Sequence, residues 1–247
     1  IKAPISIFQA SQTLFCNPTS LPLQVDFTDN SIIGAIPDDA AMTWSWGDGT
    51  FTYFDDPDFD DADLGSTVHS YNAYGTYTVQ QAIYNYTTGC EDSTSVTISV
   101  TFTDASFTAS NDSVCKNSPV LLVDGSTSSH PFGTYSYNLG NGDTQNGSVV
   151  SYTYNTAGSY DVILTSTNGV GCADSDTLVG MDVLELPLAD ISPSSLTGCA
   201  PFNTTFSNNS LTQGNGVGLS SFLWTFPDGS TQTTNNVATD VNFNHTT

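Results

Sequence analysis

One order of signals recurs three times along the chain, and it dictates a string of similar β-modules rather than a single large core. A cysteine comes first, then an aromatic-Gly-Asp-Gly turn, then a Gly-x-Tyr-x-Val strand and a Gly-Cys pair. The first pass reads Cys16, Trp44-Ser-Trp-Gly-Asp-Gly49, His69-Ser-Tyr71, Gly75-Thr-Tyr-Thr-Val79 and Gly89-Cys90. The second reads Cys115, Tyr137-Asn-Leu-Gly-Asn-Gly142, Tyr152-Thr-Tyr154, Gly158-Ser-Tyr-Asp-Val162 and Gly171-Cys172. The third reads Cys199, Trp224-Thr-Phe-Pro-Asp-Gly229 and Val241-Asn-Phe243, and ends before its Gly-x-Tyr-x-Val element. Between the turns, apolar residues alternate with polar ones. Val96, Ile98, Val100 and Phe102 share one strand face, as do Leu23, Val25 and Phe27, and Tyr160, Val162 and Leu164. No segment carries a sustained helical period, so the expected fold is all-β, built of tandem sandwiches with the third incomplete.

The repeats place the modules at 1–101, 102–184 and 185–247. Their junctions are short and free of Gly/Ser tracts, which predicts a stiff string. Ile1 stands without an initiator Met or leader, so the chain is expected to be a stretch of something longer. The third module is then completed by residues beyond Thr247, or by strands donated from a neighbour. The repeat order predicts disulfides Cys16–Cys90 and Cys115–Cys172, with the partner of Cys199 outside the chain. Five free thiols are the alternative, one that a reducing compartment would require.

Charge removes whole classes of function. The chain has 25 acidic residues against 2 basic ones, a net charge of −23, and its only cations are Lys2 and Lys116. Without arginine it cannot neutralise a phosphate backbone, so nucleic acid is not a partner. Anionic membrane surfaces repel it, and no apolar stretch is long enough to insert. Yet 14 Phe, 11 Tyr and 3 Trp are too many aromatics for a disordered chain. No nucleophile–base–orienter set and no Cys/His zinc spacing can be assembled, so no catalytic residue is assigned.

The densest cluster of carboxylates lies in the first repeat, in Asp55-Asp-Pro-Asp-Phe-Asp-Asp-Ala-Asp63. Asp55, Asp56, Asp58, Asp60, Asp61 and Asp63 are hard oxygen ligands at a density that suits Ca²⁺. Asp61 and Thr67 depart from the EF-hand pattern, and a solvated acidic loop tip is the alternative.

The Trp44–Gly49 element followed by His69-x-Tyr71 and Gly75–Val79 resembles the PKD (polycystic kidney disease) domain family. The second repeat departs at Tyr137 and Asn141, the third at Pro227. The resemblance implies an immunoglobulin-like sandwich of about seven strands, which the strand count also supports. It implies structural roles for Trp44, Trp46, Asp48, Gly49, His69, Tyr71, Tyr77, Trp224 and Asp228. Asp48 and Asp228 are expected to hold tight turns. Trp44 and Trp46 are expected either to pack the core or, if exposed, to stack on carbohydrate. The Gly-Cys variant is similar to modules in long surface proteins of gliding bacteria, whose O-glycosylation sites Asp92-Ser-Thr94, Asp112-Ser-Val114 and Asp176-Thr-Leu178 resemble. Ser93, Ser113 and Thr177 would carry the glycans.

The functional expectation is a non-catalytic, extracellular, cell-surface stretch of a long repeat protein, acting as adhesin stalk or surface filament in attachment or gliding motility. Its partners would be neighbouring modules or other surface proteins. The alternatives are polysaccharide-binding modules of a secreted hydrolase, tested by Trp46→Ala, and a strand-donating filament subunit.

Overall fold

The computed structural model describes residues 3–32, 40–56, 66–212, 219–235 and 240–245. Strands and turns make up the described residues, with no helix among them. Among the described residues, therefore, no helix is long and apolar enough to cross a membrane.

The first sandwich uses β1 (Phe8–Ala10), β2 (Leu14–Cys16), β3 (Leu23–Asp29), β4 (Ala40–Ser45), β5 (Phe51–Asp56), β6 (Ser66–Tyr71), β7 (Gly75–Asn85) and β8 (Cys90–Thr101). A three-stranded sheet, β1-β3-β6, faces a five-stranded sheet, β2-β8-β7-β4-β5. Alternation puts Val25 and Phe27 of β3 inward against Trp44, Val79, Ile83, Ile98 and Val100, all essentially inaccessible.

The second sandwich repeats this plan. It comprises β9 (Thr103–Asp104), β10 (Phe107–Ala109), β11 (Ser113–Cys115), β12 (Pro119–Asp124), β13 (Thr127–Ser128), β14 (Phe132–Asn138), β15 (Thr144–Asn146), β16 (Val149–Thr153), β17 (Gly158–Asn168) and β18 (Ala173–Leu184). Its sheets are β10-β12-β16 and β11-β18-β17-β14-β15, with β9 and β13 forming a small ribbon at the start. Tyr137 takes the place of Trp44 in a core with Val120, Leu122, Leu139, Val162 and Leu164.

The third unit contains β19 (Ile191–Pro193), β20 (Phe202–Asn208), β21 (Phe222–Thr225), β22 (Thr231–Thr234) and β23 (Val241–His245). These make a three-stranded sheet, β19-β20-β23, and a ribbon, β21-β22. Among the described residues it holds no counterpart of the long β7–β8 hairpin.

In both complete sandwiches one edge strand runs parallel to its neighbour. β2 pairs β8 with Cys16 opposite Thr101, and β11 pairs β18 with Cys115 opposite Leu184. That orientation decides where each first cysteine ends up.

Candidate functional site: the junction between sandwiches

The repeated motif builds a corner at one end of each sandwich. In the first, the Asp48 carboxylate accepts from the Thr50 amide at 3.0 Å and its hydroxyl at 2.5 Å, and lies 2.7 Å from His69 Nε2. The His69 ring stacks on Trp46 at 4.6 Å, and the Tyr71 hydroxyl donates to the Trp46 carbonyl at 3.2 Å. Burial works to raise the Asp48 pKa. The Thr50 and His69 hydrogen bonds and the His69 charge outweigh it and hold the carboxyl below its usual range. Gly47, at φ +80°, has no alternative: a Cβ there would lie 2.7 Å from the Thr78 backbone nitrogen and oxygen.

The second sandwich keeps the corner with other chemistry. Asn141 accepts from the Asp143 amide at 3.1 Å, and Tyr152 replaces His69, bonded to both Asn141 and Asp143. The Tyr154 hydroxyl donates to the Leu139 carbonyl at 2.9 Å, and its ring stacks on Tyr160 as Tyr71 stacks on Tyr77. In the third unit, Asp228 accepts from the Ser230 amide and hydroxyl at 2.9 and 2.6 Å, and Trp224 is buried. Trp46 is only 1% exposed, so it offers no face to a sugar; it packs the corner.

The chemistry between modules centres on a side chain that motif reading overlooked. Asn168, the last residue of β17, is buried. Its amide donates across the junction to the hydroxyl of Thr101 at 2.9 Å, and within its own sandwich to those of Thr103 at 3.1 Å and Ser128 at 3.2 Å. Its carbonyl oxygen accepts from the amides of Val170 and Cys172 at 3.2 and 3.0 Å, which shapes the hairpin turn. His130 bridges the sandwiches, with Nδ1 3.1 Å from Thr101 Oγ1 and Nε2 2.9 Å from Thr76 Oγ1. Asn17 Oδ1 accepts from the Thr103 amide at 2.7 Å, and Tyr74 packs its ring on Phe102 at 4.8 Å.

A disulfide closes this junction. Cys16 bonds Cys172, 156 residues away, with Cα atoms 5.5 Å apart. The expected pairs Cys16–Cys90 and Cys115–Cys172 do not form; Cys90, Cys115 and Cys199 are free thiols. Geometry gives the reason. Cys90 starts β8, whereas Cys16 lies opposite Thr101, the last residue of that 12-residue strand. At ~3.3 Å per residue the two ends are ~35 Å apart, far beyond the roughly 7 Å Cα span of a disulfide. Cys172 and Cys115 flank β18 in the same way. The far end of one sandwich meets the near end of the next, and there the two cysteine types come together.

Other expected sites sort as follows. Asp58, Asp60, Asp61 and Asp63 lie outside the described residues, and Asp55 and Asp56 end β5. Among the described residues no group of three or more His, Cys, Asp or Glu side chains could hold a metal ion. Ser93, Ser113 and Thr177 are all exposed. Two of their preceding carboxylates are used internally, Asp92 accepting from the Ser6 amide at 2.8 Å and Asp176 from the Phe107 amide at 3.2 Å.

A second feature lies on the outer face of the five-stranded sheet of the first sandwich. An open groove of about 590 Å³ is lined by Tyr53, Tyr84, Tyr86, Gln80, Glu91 and Ser93. Tyr53 and Tyr86 meet hydroxyl to hydroxyl at 3.1 Å. The register places Asn146, Thr167, Gly169 and Ala173 of the second sandwich where Tyr53, Tyr84, Tyr86 and Glu91 stand in the first. The fold therefore forms without those tyrosines.

Residues 104–183 match the PKD domain family. The second sandwich is a PKD domain. The PKD1 domain of the Vibrio cholerae metalloprotease PrtV is 26% identical, covering 33% of this chain and 98% of that one, with a TM-score of 0.29. The PKD1 domain of Vibrio anguillarum Epp is 25% identical over 33% of this chain and 94% of that one, also at 0.29. A three-domain immunoglobulin fragment of titin covers 92% of this chain and 86% of that one at 10% identity and a TM-score of 0.50, a likeness of fold alone. No curated protein matches the chain. PKD and immunoglobulin-like domains are typically non-catalytic modules, and such domains with a disulfide are typical of extracellular proteins.

Proposed function

We propose that this chain is a non-catalytic length of extracellular stalk, part of an adhesin or surface filament, in which PKD-type sandwiches are fixed end to end. The observation that carries this reading is the Cys16–Cys172 bridge set among the Asn168 hydrogen bonds. A junction with one covalent bond and a buried polar network has few ways to bend, and satisfied buried networks specify a unique arrangement. A net charge of −23 adds mutual repulsion that extends the array. Small-angle scattering of the oxidised chain tests it. A narrow, extended distance distribution that broadens on reduction is expected; a broad distribution in both states contradicts a stiff stalk.

The groove on the first sandwich supports a second reading, polysaccharide binding. Tyrosine rings offer flat faces to sugar rings, and the Gln80, Ser93 and Glu91 side chains offer hydrogen bonds to hydroxyls. The same negative charge restricts the ligand to neutral or cationic glycans. Retention on insoluble neutral polysaccharides should fall at least tenfold in Tyr53→Asn/Tyr84→Thr with an unchanged melting temperature; equal retention by both proteins removes this reading.

A further inference from the structure

Cys90 stands in the first sandwich where Cys172 stands in the second, and its surroundings match. Both follow an 11-residue strand that begins with glycine and ends in a buried asparagine, Gly75–Asn85 and Gly158–Asn168. Both follow a positive-φ glycine, Gly89 at +67° and Gly171 at +96°. Asn85 Oδ1 accepts from the Thr88 amide at 2.9 Å, shaping its turn as Asn168 shapes the other. Two residues beyond each cysteine, an aspartate holds the start of its own sandwich. Asp92 accepts from the Ser6 amide and Asp174 from the Ala105 amide, each at 2.8 Å. The near end of the first sandwich is thus built like the end that receives Cys16.

We propose that Cys90 is a docking cysteine for another module of this repeat type, stacked ahead of the first sandwich and presenting a cysteine at the Cys16 position. The occupant is fixed by continuity with the junction already seen: a parallel edge strand that ends in Cys and leads into Asn, beside a last strand that runs into a Thr-Phe-Thr connection such as Thr101–Thr103. The second sandwich is a poorer donor. Cys115 has the equivalent strand position, but Leu184 and Leu186 stand where Thr101 and Thr103 supply hydroxyls, and the connection to the third unit is one residue longer. The bond forms by oxidation of two thiols, which release two protons and two electrons. A small disulfide such as oxidised glutathione takes up both and leaves as two thiols.

This inference rests on the stalk reading, and one experiment separates the two. The full chain is extended by placing a copy of residues 1–103 directly before Ile5, so that Thr103 of the copy precedes Ile5 as it precedes Asp104 in the parent. The protein is refolded with oxidised and reduced glutathione, alkylated, digested with pepsin in acid and mapped by mass spectrometry without reduction. The expected result is two bridges, the parental Cys16–Cys172 and a new one from the copy's Cys16 to Cys90 of the following sandwich. Cys16→Ser in the copy should abolish the new bridge and leave the parental one. If the parental bridge forms and this Cys90 is alkylated, the docking role is wrong and the stalk reading survives. If neither forms in the folded protein, both fall.

Discussion

Replacing Cys16 with serine should destabilise the second sandwich, although Cys16 belongs to the first. Cys16 is exposed, so the substitution removes no core contact. It removes a tie. While the first sandwich stays folded, Cys16 is held beside Thr101, and the bridge to Cys172 closes a loop of about 70 residues that spans almost the whole second sandwich. A loop of that length corresponds to about 4 kcal/mol in the chain-entropy model, and bridges commonly contribute about 2–4. For a domain of this size that lowers the melting temperature on the order of 15 °C. Differential scanning calorimetry under non-reducing conditions should show one transition falling in Cys16→Ser. Cys115→Ser and Cys90→Ser should change little, because those thiols are unbonded. The second sandwich contains no tryptophan, so in a Trp224→Phe background loss of Trp44 and Trp46 fluorescence separately reports the first. A fall in Cys115→Ser with none in Cys16→Ser would refute the reasoning, since it is the signature of a bridge within the second sandwich.

Three further outcomes follow from the same geometry. Asn168→Ala should cost about 2–4 kcal/mol in thermal unfolding and broaden the distribution of inter-module distances in scattering, because buried hydroxyls at Thr101 and Thr103 lose their donor. Gly47→Ala should destabilise the first sandwich by about 2–4 kcal/mol, combining strain at φ +80° with a Cβ pressed on Thr78. Gly49→Ala, at φ +90° with open space around it, should cost only about 1 kcal/mol; chemical denaturation compares the two. Burial pushes the Tyr137 and Tyr154 hydroxyls up to about 12, aided for Tyr137 by the Asp124 charge and for Tyr154 by Tyr152 and Tyr160. A raised folded pKa stabilises fully below the ordinary tyrosine value of about 10 and is lost as pH rises through the folded value. The second sandwich should therefore hold to about pH 10 and unfold between there and pH 12, with its tyrosinate absorbance rising together with loss of circular dichroism rather than ahead of it.

The fold was legible in the sequence because its signals are local. Val25 and Phe27, or Val162 and Leu164, alternate at the strand period and bury as that period requires. The turn role of Asp48 follows from aspartate's reach to amides two residues on. The bridge was not legible, because repeat spacing says which strand a cysteine is on and not which way that strand runs. β2 lies parallel to β8, so Cys16 ends level with Thr101, at the end of the sandwich remote from Cys90. Trp46 illustrates the same limit. An aromatic two positions from a core tryptophan reads equally as platform or packing, and its burial beneath the His69 ring settles it as packing. Asn168 left a weak trace, an asparagine ten residues after the strand glycine in both complete repeats. Nothing in spacing alone tied it to Thr101 of the preceding sandwich or to Thr103 at the start of its own.

The most direct measurement is a disulfide map of the oxidised 247-residue chain, alkylated before digestion with pepsin and read by mass spectrometry. Linked peptides containing Cys16 and Cys172, with Cys90, Cys115 and Cys199 all alkylated, are what a junction-locked stalk predicts. Linkage of Cys16 to Cys90 and of Cys115 to Cys172 would contradict it, leaving independently stapled sandwiches joined by an unlocked hinge.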